Sequence, residues 1–292
     1  MANDPEAPEL SVVIPALNEE GALADVLARL KKVLADKTYE ILLIDDGSDD
    51  ETAKIGRENG ARVISHPYRK GNGAAIKRGI REALGQAILL MDADGQHPPE
   101  EIPRLLDELE GHDMAVGARA KGTGQKAHRW MANRLFSMLA SYLAAERIPD
   151  LTSGFRVLKA QVAKRYVDLL PNTFSYPSTL TITLARAGYT IAHVPIIADQ
   201  SKSPSKIRPP ADGLRFLYIL LKVGVGLAPF RVFFPLSLVL FLLGLGWYVF
   251  TYISYQRFTN MSALLLCTAV IIFMLGLIAE QIAQLRRERR DE

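Results

Sequence analysis

The chain has 292 residues, room for one large or two modest domains. A charged content of 23% and a formal net charge of +3, with Lys and Arg alternating with acids along most of the chain, exclude the strongly basic profile of a nucleic-acid binder. The single cysteine, Cys267, lies in an apolar stretch, which excludes a disulfide frame and a cysteine-based metal site. The histidines His66, His97, His112, His128 and His193 show no ligand spacing and read as surface or loop residues. The N-terminal MANDPEAPEL is acidic and has no apolar signal core, so the bulk of the protein is expected in the cytoplasm.

Leu10–Ala16 is an apolar run expected as a strand. Apolar residues at Leu23, Val26, Leu27, Leu30, Val33 and Leu34 follow at helical spacing, with Asn18 as the expected N-cap. A second strand, Tyr39–Ile44, ends in Asp45-Asp46-Gly47-Ser48-Asp49, and a helix runs on toward Gly60. A third strand, Ala61–Ser65, leads to a helix around Ala74–Leu84. The loop before it, Gly71-Asn72-Gly73, lacks the third glycine of a dinucleotide fingerprint. It reads either as a close approach near phosphate or as a structural turn.

Ala87–Met91 is apolar on both alternations, as suits a strand covered on both faces of a parallel sheet. It runs into Asp92-Ala93-Asp94-Gly95-Gln96, with Pro98-Pro99 forcing the chain to turn. A helix over Glu100–Leu109 and a fifth strand, Asp113–Ala118, complete five strand-then-helix repeats and predict a mostly parallel α/β sheet. Ligands of such sheets sit outside the carboxyl ends of the strands. There strand one delivers Pro15, Asn18 and Glu19, strand two Asp45 and Asp46, and strand four Asp92 and Asp94. Hard divalent cations on a diphosphate take oxygen ligands, so the Asp-x-Asp turn is a candidate metal–diphosphate seat for Mg2+ or Mn2+.

Residues 127–144 form a broad apolar face opposite Lys126, Arg129, Asn133 and Arg134, which suits either a helix lying in a membrane interface or a core helix. Residues 211–231 are a second such segment. Beyond it, Val232–Tyr255 and Phe258–Ala279 carry no charged residue, and each exceeds the ~20 residues that span a bilayer core. Arg215, Lys222 and Arg231 precede the pair, and Arg286, Arg287, Arg289 and Arg290 follow it. Positive flanks at both ends predict a two-helix hairpin with the catalytic part and both termini cytoplasmic. The expected division is therefore 1–210, a juxtamembrane segment 211–231, a hairpin 232–285 and a basic tail 286–292.

In order, VVIPALNEE, IDDGSDD, MDADGQHPPE, GAR and DLTSGFRVLK resemble the family-two glycosyltransferases of the GT-A fold, and more narrowly the polyprenyl-phosphate (dolichyl-phosphate) sugar synthases, over roughly residues 10–210. The resemblance implies an inverting enzyme moving one sugar from a GDP- or UDP-sugar to undecaprenyl or dolichyl phosphate at the cytoplasmic face of a membrane, in keeping with a bacterial inner membrane. Carried over by position, Pro15, Asn18, Glu19 and Asp46 line the nucleoside, and Asp92, Asp94 and Gln96 hold metal and diphosphate. Arg119, Arg129 and Asn133 meet the acceptor phosphate, while Asp150, Ser153, Gly154 and Arg156 close the sugar side. The expected catalytic residues are Asp94, Arg119, Arg129 and Asp150.

The family's Arg-x-x-Gly-x-Ser-Lys stretch is matched here at Ser205 and Lys206, with Gln200 and Ser203 in place of the arginine and glycine and Lys202 offering a further charge. Two other functions share the nucleotide fold. A processive polysaccharide synthase would carry a Gln-x-x-Arg-Trp motif after Asp150, whereas here Arg129-Trp130 precedes Asp150 and Gln125 stands four residues before Arg129. A non-catalytic nucleotide-sugar-binding membrane protein would bind without turnover.

Overall fold

The computed structural model describes residues 7–119, 127–197, 218 and 221–291, with side chains described throughout except at 127–135 and 286–291. Seven strands form one sheet: β1 (Leu10–Ala16), β2 (Tyr39–Asp45), β3 (Arg62–Ser65), β4 (Ala87–Leu90), β5 (Met114–Arg119), β6 (Arg156–Lys159) and β7 (Ile191–Ile196). They lie in the order β3-β2-β1-β4-β6-β5-β7. The pairs β1–β2, β2–β3, β1–β4 and β5–β7 are parallel, and β6 runs antiparallel to both β4 and β5.

The sheet is thus mostly parallel, as its apolar runs require. The fifth strand keeps the direction of the first four, but β6, a strand unmarked by any pattern in the sequence, runs antiparallel between β4 and β5.

Among the described residues seven α-helices accompany the sheet: α1 (Glu20–Val33), α2 (Thr52–Glu58), α3 (Asn72–Glu82), α4 (Ile102–Gly111), α5 (Ala127–Ala144), α6 (Ala160–Tyr166) and α7 (Tyr176–Arg186). Two cores result. One packs Leu23, Leu27 and Leu30 of α1 and Leu105 of α4 on Val12, Ile14 and Leu89; the other packs Ile76 and Ile80 of α3 and Leu180 of α7 on Val13, Leu90 and Val116. Alternate residues of β1 enter opposite cores, which is why the strand is apolar at nearly every position.

Asn18 is not the N-cap of α1. It sits at φ +55, with its carboxamide oxygen accepting the Asp49 N–H at 2.9 Å, and Glu19 takes the cap position. Asn tolerates the left-handed region better than other side chains, and here that conformation joins the first two strand-end loops.

Two long apolar helices, Pro229–Tyr255 and Asn260–Asp291, form an antiparallel hairpin. Both are longer than the charge-free segments marked in the sequence. Only 11% and 17% of their most apolar stretches are buried inside the molecule, so they are not core helices. Phe230, Phe234 and Phe273 pack ring to ring at the base of the hairpin. There Glu280 accepts the Phe230 N–H at 3.1 Å and faces Arg186 of α7 at 3.7 Å, while Arg231 donates to the carbonyl of Tyr142 on α5.

Candidate functional site

The carboxyl ends of β1, β2 and β4 open on one edge of the sheet and bring their loops together. The first two loops are laced by hydrogen bonds: Asn18 N–H to Ser48 Oγ at 3.0 Å and Glu19 N–H to Thr52 Oγ1 at 2.9 Å. Pro15 is buried within β1. Asp46 is 3% exposed, and its carboxylate accepts from His66 Nδ1, Lys70 N–H and Gly71 N–H, each at 2.8 Å. Two of these bonds fall on Oδ1 and one on Oδ2. An ionised carboxylate offers about four lone-pair directions, so little of Asp46 remains for a ligand. It holds the loop 66–71 against the end of β2.

At the end of β4, Asp94 accepts the Gln96 N–H at 3.0 Å and the Gln96 Nε2–H at 2.7 Å. Burial raises the Asp92 carboxyl above its ordinary value, against the hydrogen bond from Asn72 and the charges of Arg119 and Arg156. Burial, and then the neighbouring Asp92, raise Asp94 as well. Two carboxylates crowded with an amide are a hard oxygen donor set that a divalent cation would relieve. Among the described residues no cluster of three or more His, Cys, Asp and Glu forms. A cation carried on a diphosphate takes only one or two protein carboxylates, so Asp92, Asp94 and Gln96 fit one.

His97 lies in the loop, as expected of a surface or loop histidine, but not at the surface. It is 8% exposed, stacked on Phe155 with ring centroids 5.1 Å apart, and its Nδ1 accepts the Asp92 N–H at 3.0 Å. An accepting Nδ1 requires the neutral ring, and burial depresses the imidazole to about 4. His97 therefore sets the backbone of the turn as an uncharged acceptor.

The segment 150–156 forms the opposite wall. Asp150 and Arg119 form a bidentate pair, Nε to Oδ2 at 2.8 Å and Nη2 to Oδ1 at 3.1 Å, and Arg119 Nη2 also reaches Thr152 Oγ1 at 2.6 Å. Burial works to raise Asp150, but the Arg119 pair and backbone N–H groups outweigh it and leave the carboxyl below its ordinary value. Three of the five guanidinium N–H groups of Arg119 are spent in this way.

Ser153 and Arg156, expected on the sugar side, make their hydrogen bonds within the protein. The Ser153 hydroxyl donates to the Gly117 carbonyl at 2.6 Å and ties the segment to β5. Arg156 is fully buried at the start of β6. It donates to Pro177 O and Thr181 Oγ1, both at 3.0 Å, and to Ser153 O. Burial lowers Arg156 to about 10, so it stays charged at neutral pH as a fixed cation beneath the site. It neither reaches solvent nor pairs with Asp150.

The glycines of this region are explained by close approach. A Cβ on Gly73 would lie 2.0 Å from the Pro171 carbonyl oxygen, so Gly71-Asn72-Gly73 admits the backbone of 171–173 onto the start of α3. A Cβ on Gly154 would meet Asp92 Oδ2 at 3.0 Å, Tyr176 Oη at 3.3 Å and His97 Cε1 at 3.4 Å. Tyr176 is a residue of this region that no sequence pattern marks, whereas Asn72 and His97 lie within marked motifs that give them no role of their own. Arg129 and Asn133 lie on α5, but their side chains, like Ser205, Lys206 and Lys202, fall outside the described residues.

Comparison with known proteins places this geometry. The glycosyl transferase family 2 model matches residues 11–167, and a model described as the GtrB C-terminal hairpin matches residues 228–285. The dolichyl-phosphate hexose transferase of Haloferax volcanii is 32% identical over 219 residues, covering 74% of this chain and 93% of that one. The dolichol-phosphate mannosyltransferase of Pyrococcus furiosus is 32% identical over 230 residues, covering 73% of this chain and 64% of that one. Glucosyl-3-phosphoglycerate synthase from Mycobacterium tuberculosis, solved with Mn2+, uridine diphosphate and phosphoglyceric acid, superposes with a TM-score of 0.60 at 25% identity. The match covers 74% of this chain and 78% of that one. The matched hairpin and the exposed apolar helices make this a membrane protein, and the chain belongs to glycosyl transferase family 2 as a GT-A glycosyltransferase.

Proposed function

We propose that the enzyme moves one sugar, with inversion, from a GDP- or UDP-sugar to a polyprenyl phosphate, undecaprenyl or dolichyl, at the cytoplasmic face of a bacterial inner membrane. The observation that carries this reading is the path of α7. Tyr176 at its first turn adjoins Asp92, and Arg186 at its last faces Glu280 of the apolar hairpin. Eleven helical residues, about 16 Å, thus link the Asp-x-Asp turn to the membrane-spanning part. An acceptor whose phosphate is reactive and whose tail stays in the bilayer suits that arrangement. The two relatives named for dolichyl- or dolichol-phosphate transfer support the same acceptor class.

In this reading residues 1–210 are catalytic, 211–231 juxtamembrane, 232–285 the hairpin and 286–292 a cytoplasmic tail. Pro15, Asn18 and Glu19 border the nucleoside, with Asp46 shaping the loop beside it. Asp92, Asp94 and Gln96 hold Mg2+ or Mn2+, which when bound neutralises the departing diphosphate. Arg119, with Arg129, Asn133, Ser205 and Lys206, meets the acceptor phosphate. Asp150 acts through Arg119, fixing the guanidinium so that its remaining N–H groups face the phosphate. A phosphate monoester has a second pKa near ~6 and arrives mostly as a dianion, so it needs no side-chain base.

The test is diphosphate release from a panel of nucleotide-sugars by purified enzyme, with and without undecaprenyl or dolichyl phosphate. Release that requires the lipid phosphate, and yields a lipid bearing one sugar, supports the reading. Release independent of lipid, or a product with many sugars, overturns it. An accessible cysteine at position 290 labelled from outside the cell would overturn the topology.

A further inference from the structure

The hairpin also holds the catalytic part at the end of α5. Arg231, in the first turn of the apolar helix Pro229–Tyr255, donates to the Tyr142 carbonyl, and its guanidinium lies 5.6 Å from the centre of the Tyr142 ring. That carbonyl is among the last four of α5, which have no partner inside the helix. Gly224 packs closely beside this contact: a Cβ there would lie 3.0 Å from the Leu143 side chain and 3.1 Å from Val232. The end of α5 is thus pressed against the start of the hairpin.

A second connection starts one residue earlier. The Ser141 hydroxyl donates to the Ser137 carbonyl at 2.6 Å and accepts the Ile148 N–H at 3.0 Å. Ala145, at φ +65, turns the chain back after the helix, a conformation seldom adopted by a residue with a Cβ unless surrounding contacts dictate it. Beyond it Ile148 and Leu151 pack with Ala140 and Ala144 of α5 and Ile182 of α7, and the Ser178 hydroxyl donates to the Leu151 carbonyl at 3.3 Å. Residues 145–151 are therefore a strap tied to α5 by Ser141 and to α7 by Ser178. Asp150, set in that strap, accepts the two guanidinium hydrogen bonds of Arg119.

Where the Arg119 guanidinium points depends on Asp150, and where Asp150 sits depends on the strap. A misplacement of about 1 Å at a reacting group costs about 10²-fold in rate, so a small slackening here is felt. We propose that Ser141 is a positioning residue for use of the acceptor: through Ile148 and the strap it keeps Asp150 and Arg119 in register with the hairpin. The assignment rests on the transfer to a lipid phosphate proposed above, and adds to it a residue that acts through Asp150 and Arg119 rather than on substrate.

The experiment compares the full-length enzyme with Ser141→Ala, which suits a helix and removes the tie, and with Ser141→Thr, which keeps the hydroxyl. Ser237→Ala is the control, since Ser237 also bonds to a carbonyl of its own helix, that of Phe234 at 2.8 Å, but belongs to the hairpin. Ser141→Ala should raise KM for undecaprenyl phosphate about tenfold, the size of one lost hydrogen bond, with kcat and the calorimetric binding of UDP or GDP with Mn2+ within about twofold of wild type. Ser141→Thr should restore KM, and Ser237→Ala should leave it at the wild-type value. A role in stability alone would lower the thermal midpoint and leave KM of the folded enzyme unchanged, and that result overturns the proposal. So would a parallel weakening of nucleotide binding, or a Ser141→Thr enzyme as impaired as Ser141→Ala.

Failure of the transfer reading looks different: wild type then releases no diphosphate when undecaprenyl phosphate is added, and the strap is judged by thermal midpoints. Asp150→Asn should lower the midpoint of Ser141→Ala by less than about half of what it costs wild type, because the ion pair is already loosened, whereas unconnected substitutions add. Equal losses in the two backgrounds would overturn the strap.

Discussion

The two walls of the site use similar residues for opposite ends. At the end of β4, Asp92 and Asp94 stand beside each other, half-buried, and desolvation raises both above their ordinary carboxyl values. On the 150–156 segment, Asp150 is met in bidentate fashion by Arg119, Ser153 by the Gly117 carbonyl and Arg156 by three acceptors. The first wall holds binding capacity in reserve, whereas the second has spent most of its polar groups on its own shape, Arg156 Nε being the exception among the described residues. Substitutions on the first wall should therefore cost activity, and those on the second should first cost stability.

The sharpest break is Asp94→Asn. It should cut diphosphate release about 10²–10³-fold, on the order of 3–4 kcal/mol of transition-state stabilisation, with little change in thermal midpoint. Asp92→Asn should be milder, and chelation should abolish wild-type activity until Mg2+ or Mn2+ is restored. Full activity in excess chelator would remove the metal from this wall. On the other wall, Arg156→Ala removes the donor to Ser153 O, Pro177 O and Thr181 Oγ1, leaves the last two only their bond to each other, and should cost about 3 kcal/mol, seen as a fall in thermal midpoint. A variant of wild-type stability that has lost sugar transfer would instead make Arg156 a substrate contact.

Asp150→Asn should cost about 2 kcal/mol at neutral pH, since the pair it breaks is mostly buried, with side chains 29% and 12% exposed. The folded-state carboxyl of Asp150 is depressed, so its stabilisation is complete above the unfolded value of ~3.9 and is lost as pH falls through the lower folded value. The gap in thermal midpoint between wild type and Asp150→Asn should stay constant from about pH 7 to about pH 5 and close in stronger acid. A gap that persists under those acid conditions would show that the carboxylate charge is not its source. Ser153→Ala, which loses one buried hydrogen bond, should have the smallest effect, about 1 kcal/mol, with turnover per folded molecule unchanged.

Legibility in the sequence follows the same divide. The first wall is local. Strands β1, β2 and β4 carry apolar runs, each ending in its own polar turn, so Asp92, Asp94 and Gln96 could be named from adjacency alone. The apolar hairpin was legible for a similar reason, since length and absence of charge suffice. The second wall depends on contacts distant in sequence. Strand β6 has four residues with no readable period, and nothing in Arg-Val-Leu-Lys tells that it inserts antiparallel between β4 and β5. Arg156 looks like a surface cation until α7 covers it. Tyr176, Asn72 and His97 become neighbours through packing of α3, α7 and the 171–173 backbone, which no spacing rule encodes.

The junction at Glu280 bears on how often the enzyme meets its acceptor. Because this one side chain engages both the start of the first apolar helix and the end of α7, the site is mounted on the hairpin rather than trailing from it on a loose linker. A lipid confined to the same bilayer would then search in two dimensions toward a target of fixed height. Its effective concentration would be set by its density in the sheet of lipid, not by its bulk amount. Slackening the mount, as Glu280→Gln would, should leave a soluble short-chain phosphate acceptor as good as before and make a membrane-bound one harder to capture.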